Sequence, residues 1–430
     1  MTSPGQPIWK SLPGPEDITR SVLPNGITVL TRTNDSSPSV VISGYMLSGS
    51  QFDPAERLGL AHFTAACLMR GVEGLNFQQI FNELESVGAS LGFGASVHTT
   101  SFSGRALAED LPLLFSIVSR CLRQPTFPPD QVERLRANFM TGFAIRAQDT
   151  SEMCSLTFDQ LLFPEHPYGR PEDGFPETVK PITREELIAF HRKHYGPRGM
   201  VIVVVGAVSA AKALEEVQKA LGDWINPEQP EPPAIPPVTA PVGVRRHIAL
   251  PGKMQTDLVM GTIGPVRKSP DFLAASLGNN ILGQFGMMGR IGDVVREQAG
   301  LAYYASTSLN GWLSAGSWEV SAGVNPVNLQ KAIDLIQLEL RKFVSEPVSV
   351  QELTDSQANF IGRLPLSMES NGGVAAALMN LERFQLGLDY YQRYADLVRA
   401  VTPELVLEVA RRYLNPDQLV VVSSGPDLAE

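Results

Sequence analysis

The chain has 430 residues, 43% of them hydrophobic and 19% charged, with a net charge of −10. That length and balance describe a globular chain of two to four domains at roughly 100–200 residues each, and the acidic excess argues against a nucleic-acid partner. Three cysteines, Cys67, Cys121 and Cys154, make no disulfide framework, no run reaches the roughly 18 apolar residues of a membrane span, and the opening segment lacks a secretory or mitochondrial leader pattern, so a cytoplasmic location without membrane partners is expected.

In chain order, "GITVLTRT" from Gly26 and "SVVISGYML" from Ser39 read as strands, rich in β-branched residues. "GLAHFTAACLMRG", Gly59 to Gly71, reads as the start of a buried helix with one histidine, His62. "NFQQIFNELESVG" follows as an amphipathic helix. Asn76 caps it, Phe77, Ile80, Phe81, Leu84 and Val87 form its apolar stripe, and Gly88 stops it. "SVHTTSFSG" from Ser96 is the next strand, and the segment Gly94 to Ala106 is expected to offer a sheet edge to which a peptide could pair.

Residues 182–206, "ITREELIAFHRKHYGPRGMVIVVVG", predict a Thr-capped helix, a Pro-containing turn and a strand. The Pro-rich stretch 226–243 predicts an extended linker. Beyond it, "TDLVMGTIG" from Thr256 and "GSWEVSAGV" from Gly316 read as strands. Residues 401–425 then repeat the earlier layout. Thr183 pairs with Thr402, Glu185 with Glu404, Pro197 with Pro416 and Gly206 with Gly425, each pair 219 positions apart. Four anchors in one register point to an internal duplication. The expected fold class is α+β: two homologous domains, 1–225 and 244–430, joined by the linker 226–243, each a mainly antiparallel sheet with helices packed on one face.

Residues at i, i+3 and i+4 of a helix share a face, so two histidines at i and i+4 can hold zinc while a glutamate at i+3 serves the bound water as a base. A catalytic zinc takes about three protein ligands plus water. "GLAHFTAACLMRG" resembles the zinc helix of the pitrilysin/insulinase peptidase family, in which the segment runs G-L-A-H-F-x-E-H. This chain keeps Gly59, Leu60, Ala61, His62 and Phe63 but has Ala65 in place of the glutamate and Ala66 in place of the second histidine. The family's third ligand is a glutamate on a later helix. The matching stretch, Arg134 to Gln148, contains no Asp or Glu. "HPYGRP" from His166 and "YGPRGMVIVVVGAV" from Tyr195 extend the resemblance over nearly the whole chain. A single histidine on an apolar helix is ordinarily a hydrogen-bonded core residue, so His62 is expected to be a relic or a local structural group.

The second half carries "LGQFGMMGRIGDVVREQAGLAYYASTSL". It resembles the family segment in which an arginine and a tyrosine face the zinc from across the cavity. Arg296 and Tyr303 match that pair, with Gly300 between them, and the resemblance implies that they bind substrate and stabilise charge on the scissile carbonyl. The competing reading pairs Arg296 with a nearby acid and buries Tyr303 in a sheet face. Tyr304 is treated as structural. Gly283, Gly286 and Gly289 lie where the family's non-catalytic subunit has a glycine-rich segment, and a plain loop entering a helix is an equal reading.

The resemblance thus implies a zinc-less subunit of a heterodimeric metalloendopeptidase, inactive alone, with no metal or cofactor of its own. Its partner would be a homologous zinc-bearing subunit, with which it would form a clamshell around unfolded or short peptides. Two alternatives stand beside this: a structural core-type subunit without peptidase function, and an active homodimer using unconventional ligands such as His98 and His166.

Overall fold

The computed structural model describes residues 12–239, 241, 243–286 and 288–428. The leader reading at 1–11, two linker positions (240 and 242) and Met287 of the glycine segment lie outside the described residues. No helix among the described residues is long and apolar enough to cross a membrane.

The first half runs β1 (Thr19–Val22), β2 (Thr28–Thr33), β3 (Ser39–Met46), α1 (Leu60–Cys67), a short hairpin β4 (Gly71–Val72) and β5 (Leu75–Asn76), then α2 (Phe77–Ser86), β6 (Ser90–Ala95), β7 (Thr100–Leu107), α3 (Leu111–Arg123), α4 (Pro129–Arg146), α5 (Thr150–Leu162), α6 (Pro176–Val179), α7 (Arg184–His194), β8 (Val201–Gly206) and α8 (Ala210–Leu221). Local chemistry sets the boundaries. Asn76 and Gln79 close a reciprocal capping box on α2, and Gly88 ends that segment at φ +64°. Thr183 and Glu186 do the same at α7, with Thr183 N 2.7 Å from Glu186 Oε2.

The second half runs β9 (Arg245–Ala249), β10 (Thr256–Gly264), α9 (Asp271–Gly283), α10 (Gly289–Gly292), β11 (Ala302–Gly311), β12 (Gly316–Val324), α11 (Leu329–Ser345), α12 (Val350–Ser367), α13 (Asn371–Phe384), α14 (Tyr390–Arg399), α15 (Pro403–Tyr413) and β13 (Val420–Gly425). At α15 only half of the α7 cap recurs: Thr402 Oγ1 accepts from Leu405 N at 3.2 Å, because Leu405 has no carboxylate to return the bond.

Two sheets result. The first has order β1-β2-β8-β3-β7-β6, and the second β11-β12-β10-β13-β9. Each is antiparallel except for one parallel pair, β2 with β8 and β9 with β13. Read from the parallel pair outward, β2-β8-β3-β7-β6 and β9-β13-β10-β12-β11 are the same path. The duplication visible at 182–206 and 401–425 therefore extends to sheet topology, and the expected α+β class with mainly antiparallel sheets holds.

The linker separates the strands of the two sheets, but the compact units are discontinuous in sequence. One unit comprises the described residues up to Arg136, with Pro181–Pro233 and Ile361–Ala395. The other comprises Ala137–Lys180, Ala234–Phe360 and the described residues from Asp396 on. Each unit thus takes a helix from the opposite half. In the first unit, α13 lies on β3 and β8, where Val374, Ala375, Leu378 and Leu381 join Val201, Val203 and Val205 in one apolar cluster. Ile202 and Val204, which alternate to the other face, are fully buried as well. Helices of the first half cover that other face, so the exchanged helix adds cover to the face the sequence left bare. Full burial of each such branched side chain contributes about 1.5–3 kcal/mol. Asn371 fastens the start of α13, donating to Ser39 O at 3.2 Å, and Glu382 near its end pairs with Arg20 on β1 at 2.8 Å. In the second unit, α5 packs on β10 and β13, with Cys154 Sγ 3.1 Å from Val422 O. All three cysteines are buried and free, and burial pushes each thiol up to about 12.

Candidate functional site

In the first unit the site is built on α1. Gly59 enters it at φ +94°, a left-handed conformation that a side chain would strain. Buried Asp53 caps the helix, its two carboxylate oxygens accepting from Gly59 N and Ala61 N at 2.9 Å each. His62 and Ala66 lie on one half-buried face, one turn apart, and Ala65 is buried beside them. Phe63 is fully buried, and the Arg136 guanidinium lies over its ring at 5.2 Å. Arg136 comes from α4. Its side chain is only 13% exposed and pairs with Glu133 at 3.0 Å.

Basic side chains gather near the end of α1. Arg136 and Arg70 both act on the Cys67 thiol at the end of α1, and Arg134 acts on Arg70. One imidazole with two alanines supplies a single ligand. The residues present do not fit a catalytic zinc. Among the described residues no group of three or more His, Cys, Asp or Glu side chains could hold a metal ion. His98 and His166 serve local packing. His98 Nδ1 lies 3.2 Å from Gln51 Oε1 in the first unit, and His166 Nδ1 accepts from Tyr168 N at 3.1 Å in the second.

The edge of the first sheet on this side is β6, not the longer segment Gly94 to Ala106 expected from sequence. β7 occupies most of that segment and is paired on both sides, with β3 and β6. On β6, Gly92 and Gly94 face open space: a Cβ on either would have no heavy atom within 4 Å. A flat, glycine-bearing terminal strand is a template for an added strand.

The corresponding edge of the second sheet, β11, is covered. Gln284 and Met288 lie against it, with Gln284 Nε2 donating to Thr307 O at 3.0 Å and Ala305 N to Met288 Sδ at 3.4 Å. This close approach requires Gly283, because a Cβ there would lie 2.5 Å from Thr307 N. Gly286 and Gly289 take φ +62° and +64° to turn the segment into α10.

Arg296 lies on a π-helical turn, Asp293–Gln298, and Gly300 at φ +62° reverses the chain into β11. Arg296 is 3.6 Å from Glu297, a loose surface pair. Tyr303 is placed by a defect. Ala302 pairs with Val324 and Tyr304 with Gly323, so Tyr303 is the extra residue of a β-bulge. The bulge turns it outward: it is 82% exposed, and its hydroxyl has no hydrogen-bond partner among the described residues. Burial of Tyr303 in a sheet face is therefore excluded. Tyr304 turns inward and donates to Asp257 Oδ1 at 2.8 Å, and burial together with that bond raises its phenol. Asp257 also accepts from Thr150 and Gln255. On the same unit, Asp159 of α5 is raised to about 7 by burial, then by the charges of Glu319 and Glu172.

Sequence reasoning missed the contact of Arg136 with α1, the cover on β11 and the bulge at Tyr303. The first lies in the stretch Arg134 to Gln148, whose lack of Asp and Glu was legible but whose packing was not. The other two depend on register.

Two family models match: one described as Insulinase (Peptidase family M16) over residues 28–159, and one described as Peptidase M16 inactive domain over residues 181–360, which runs across the linker. A protein named as an uncharacterised zinc protease of Streptomyces coelicolor is 25% identical over 422 residues, 95% of this chain and 90% of that protein. The mitochondrial-processing peptidase subunit beta of Saccharomyces cerevisiae is 25% identical over 372 residues, 82% of this chain and 79% of that one. A crystal structure described as a peptidase M16 inactive domain from Pseudomonas fluorescens matches with a TM-score of 0.88 at 27% identity, covering 96% of this chain and 99% of that chain. With the duplicated sheets, the α1 segment and these matches in agreement, the chain belongs to peptidase family M16, the insulinase family.

Proposed function

We propose that this chain is the non-catalytic subunit of a heterodimeric M16 metalloendopeptidase. The observation that carries the reading is the α1 site, where Ala65 and Ala66 replace the base and a ligand while Arg136 lies over the neighbouring Phe63. A chain so arranged has no means of its own to activate water. Hydrolysis then belongs to a homologous partner that carries the zinc, and neither zinc nor any other cofactor is assigned to this chain.

What this chain contributes is donors and surface. The half-buried Arg296 and the outward Tyr303 are both hydrogen-bond donors, suited to hold a peptide carbonyl and the charge that develops on it. The free β6 edge suits backbone pairing with an extended peptide, which tolerates many sequences. Unfolded or short peptides are the substrate class that follows.

The test is complementation. The purified chain, a homologous zinc-bearing M16 subunit, and their mixture are each assayed on a quenched fluorescent peptide. Activity in the mixture well above the sum of the separate chains is expected. Full activity of the zinc-bearing chain alone, unchanged by mixing, would favour a structural subunit. Activity of this chain alone would favour the homodimer.

A further inference from the structure

A cavity of about 430 Å³ opens in the first unit at the N-terminal end of α1, within the size range of small-ligand sites. One wall is a single face of α7, which presents Glu186, Ala189, Phe190, Lys193 and His194 at helical spacing. Phe52, Leu60 and Pro230 complete an apolar interior. His194 is held between two rings, its centroid 4.5 Å from that of Phe52 and 4.5 Å from that of Phe190. It is only 8% exposed, and its Nδ1 is buried without a hydrogen-bond partner.

That orphan nitrogen carries information. Burial holds His194 neutral, lowering it to about 4, so one ring nitrogen bears a proton and the other does not. A buried N–H without an acceptor is costlier than a bare acceptor, so the favoured tautomer leaves Nδ1 bare and places the proton on Nε2. The ring then offers a donor. The charges at the rim point the same way. Glu186 is already engaged by Arg57 at 2.8 Å and by Thr183 N at 2.7 Å. Lys193, exposed next to His194 and acting on it electrostatically, has no ion-pair partner among the described residues. One unbalanced cation and one imidazole donor border an apolar, aromatic-walled space.

We propose that this cavity binds an apolar carboxylate, its hydrocarbon or aromatic body among Phe52, Leu60 and Phe190 and its carboxylate toward His194 and Lys193. The ligand is either a free acid or the C-terminal residue of a peptide, which share that chemistry. The inference stands apart from the peptidase reading, because His194 and Lys193 belong neither to the degenerate α1 motif positions His62, Ala65 and Ala66 nor to the Arg296 and Tyr303 pair, and Leu60 of α1 lends only apolar surface.

Calorimetric titration of the full chain tests it, with 3-phenylpropionate and the tripeptide Ala-Ala-Phe as probes and their carboxamides as controls. Saturable binding of at least one acid is expected at or below the millimolar range, about −4 kcal/mol by the standard conversion, with the matching amide at least about tenfold weaker. Which acid binds identifies the source. Lys193→Met, a change at an exposed position, weakens binding of the acid by about tenfold and brings it to the amide's level. His194→Phe, checked for folding by circular dichroism, removes the donor and weakens the acid but not the amide. The proposal is overturned by absence of saturation with both acids, by equal binding of acid and amide, or by Lys193→Met leaving the affinity unchanged.

Discussion

The guanidinium of Arg136 lies 5.2 Å from the ring centroid of Phe63, the residue that follows His62 on α1. A cation–π contact with a fully buried ring is a stable arrangement for an arginine. It also fixes that guanidinium, paired with Glu133, beside the helix that carries His62, Ala65 and Ala66. Losing ligands removes affinity for zinc.

The purified chain is therefore expected to hold no stoichiometric zinc. Ala65→Glu with Ala66→His is expected to leave it so, since the third carboxylate is still missing. Elemental analysis after mild chelation is the check, and one tightly held zinc per native chain would refute the reading.

The bulge at Tyr303 separates two adjacent tyrosines by function. In the active mixture of subunits, Tyr303→Phe or Arg296→Ala is expected to depress kcat/KM by about 10²–10³-fold, the usual cost of one carbonyl donor. Neither should lower the melting temperature much, because Tyr303 is 82% exposed and Arg296 makes only a loose pair with Glu297. Tyr304→Phe should do the opposite. It removes the 2.8 Å donor to Asp257 and costs about 1–3 kcal/mol of stability, with little effect on turnover. Paired rate and denaturation measurements on the three variants decide this.

Backbone amides distinguish the two sheet edges. With an uncleavable peptide bound to the heterodimer, Ser90–Ala95 is expected to gain protection from hydrogen exchange. Ala305 is expected to show little change, because Met288 already covers its N–H. Protection confined to the partner's strands would remove β6 from the substrate path.

Asp159 predicts a pH dependence of the second unit. Its folded-state value, about 7, lies above the ordinary 3.8, so the folded chain binds the extra proton between those limits. Stability from this group must then fall as pH rises from about 4 to about 7. Asp159→Asn should flatten that part of the profile and stabilise the protein near neutrality. Melting temperature against pH for the two proteins is the measurement, and identical slopes would show that the carboxyl is not held neutral.

The sequence by itself determined much of this protein. Strand and helix positions followed from alternation and capping chemistry, which act within a few residues: Asn76 and Thr183 each cap the helix they precede. The duplication was legible because paired anchors keep a constant 219-residue offset, and the empty zinc motif because Ala65 and Ala66 stand at fixed spacing from His62. What only the tertiary structure decided depends on partners distant in the chain. The exchange of α5 and α13 between the two halves was hidden, since an apolar helix face does not say which sheet it will cover. The glycine segment became an edge cover only once Gly283 was seen to touch Thr307. Tyr303 and Tyr304 are neighbours of one chemical type, and a one-residue slip in pairing with Gly323 and Val324 sends one to solvent and the other to Asp257. Register is set by two strands together, so no reading of one of them could have supplied it.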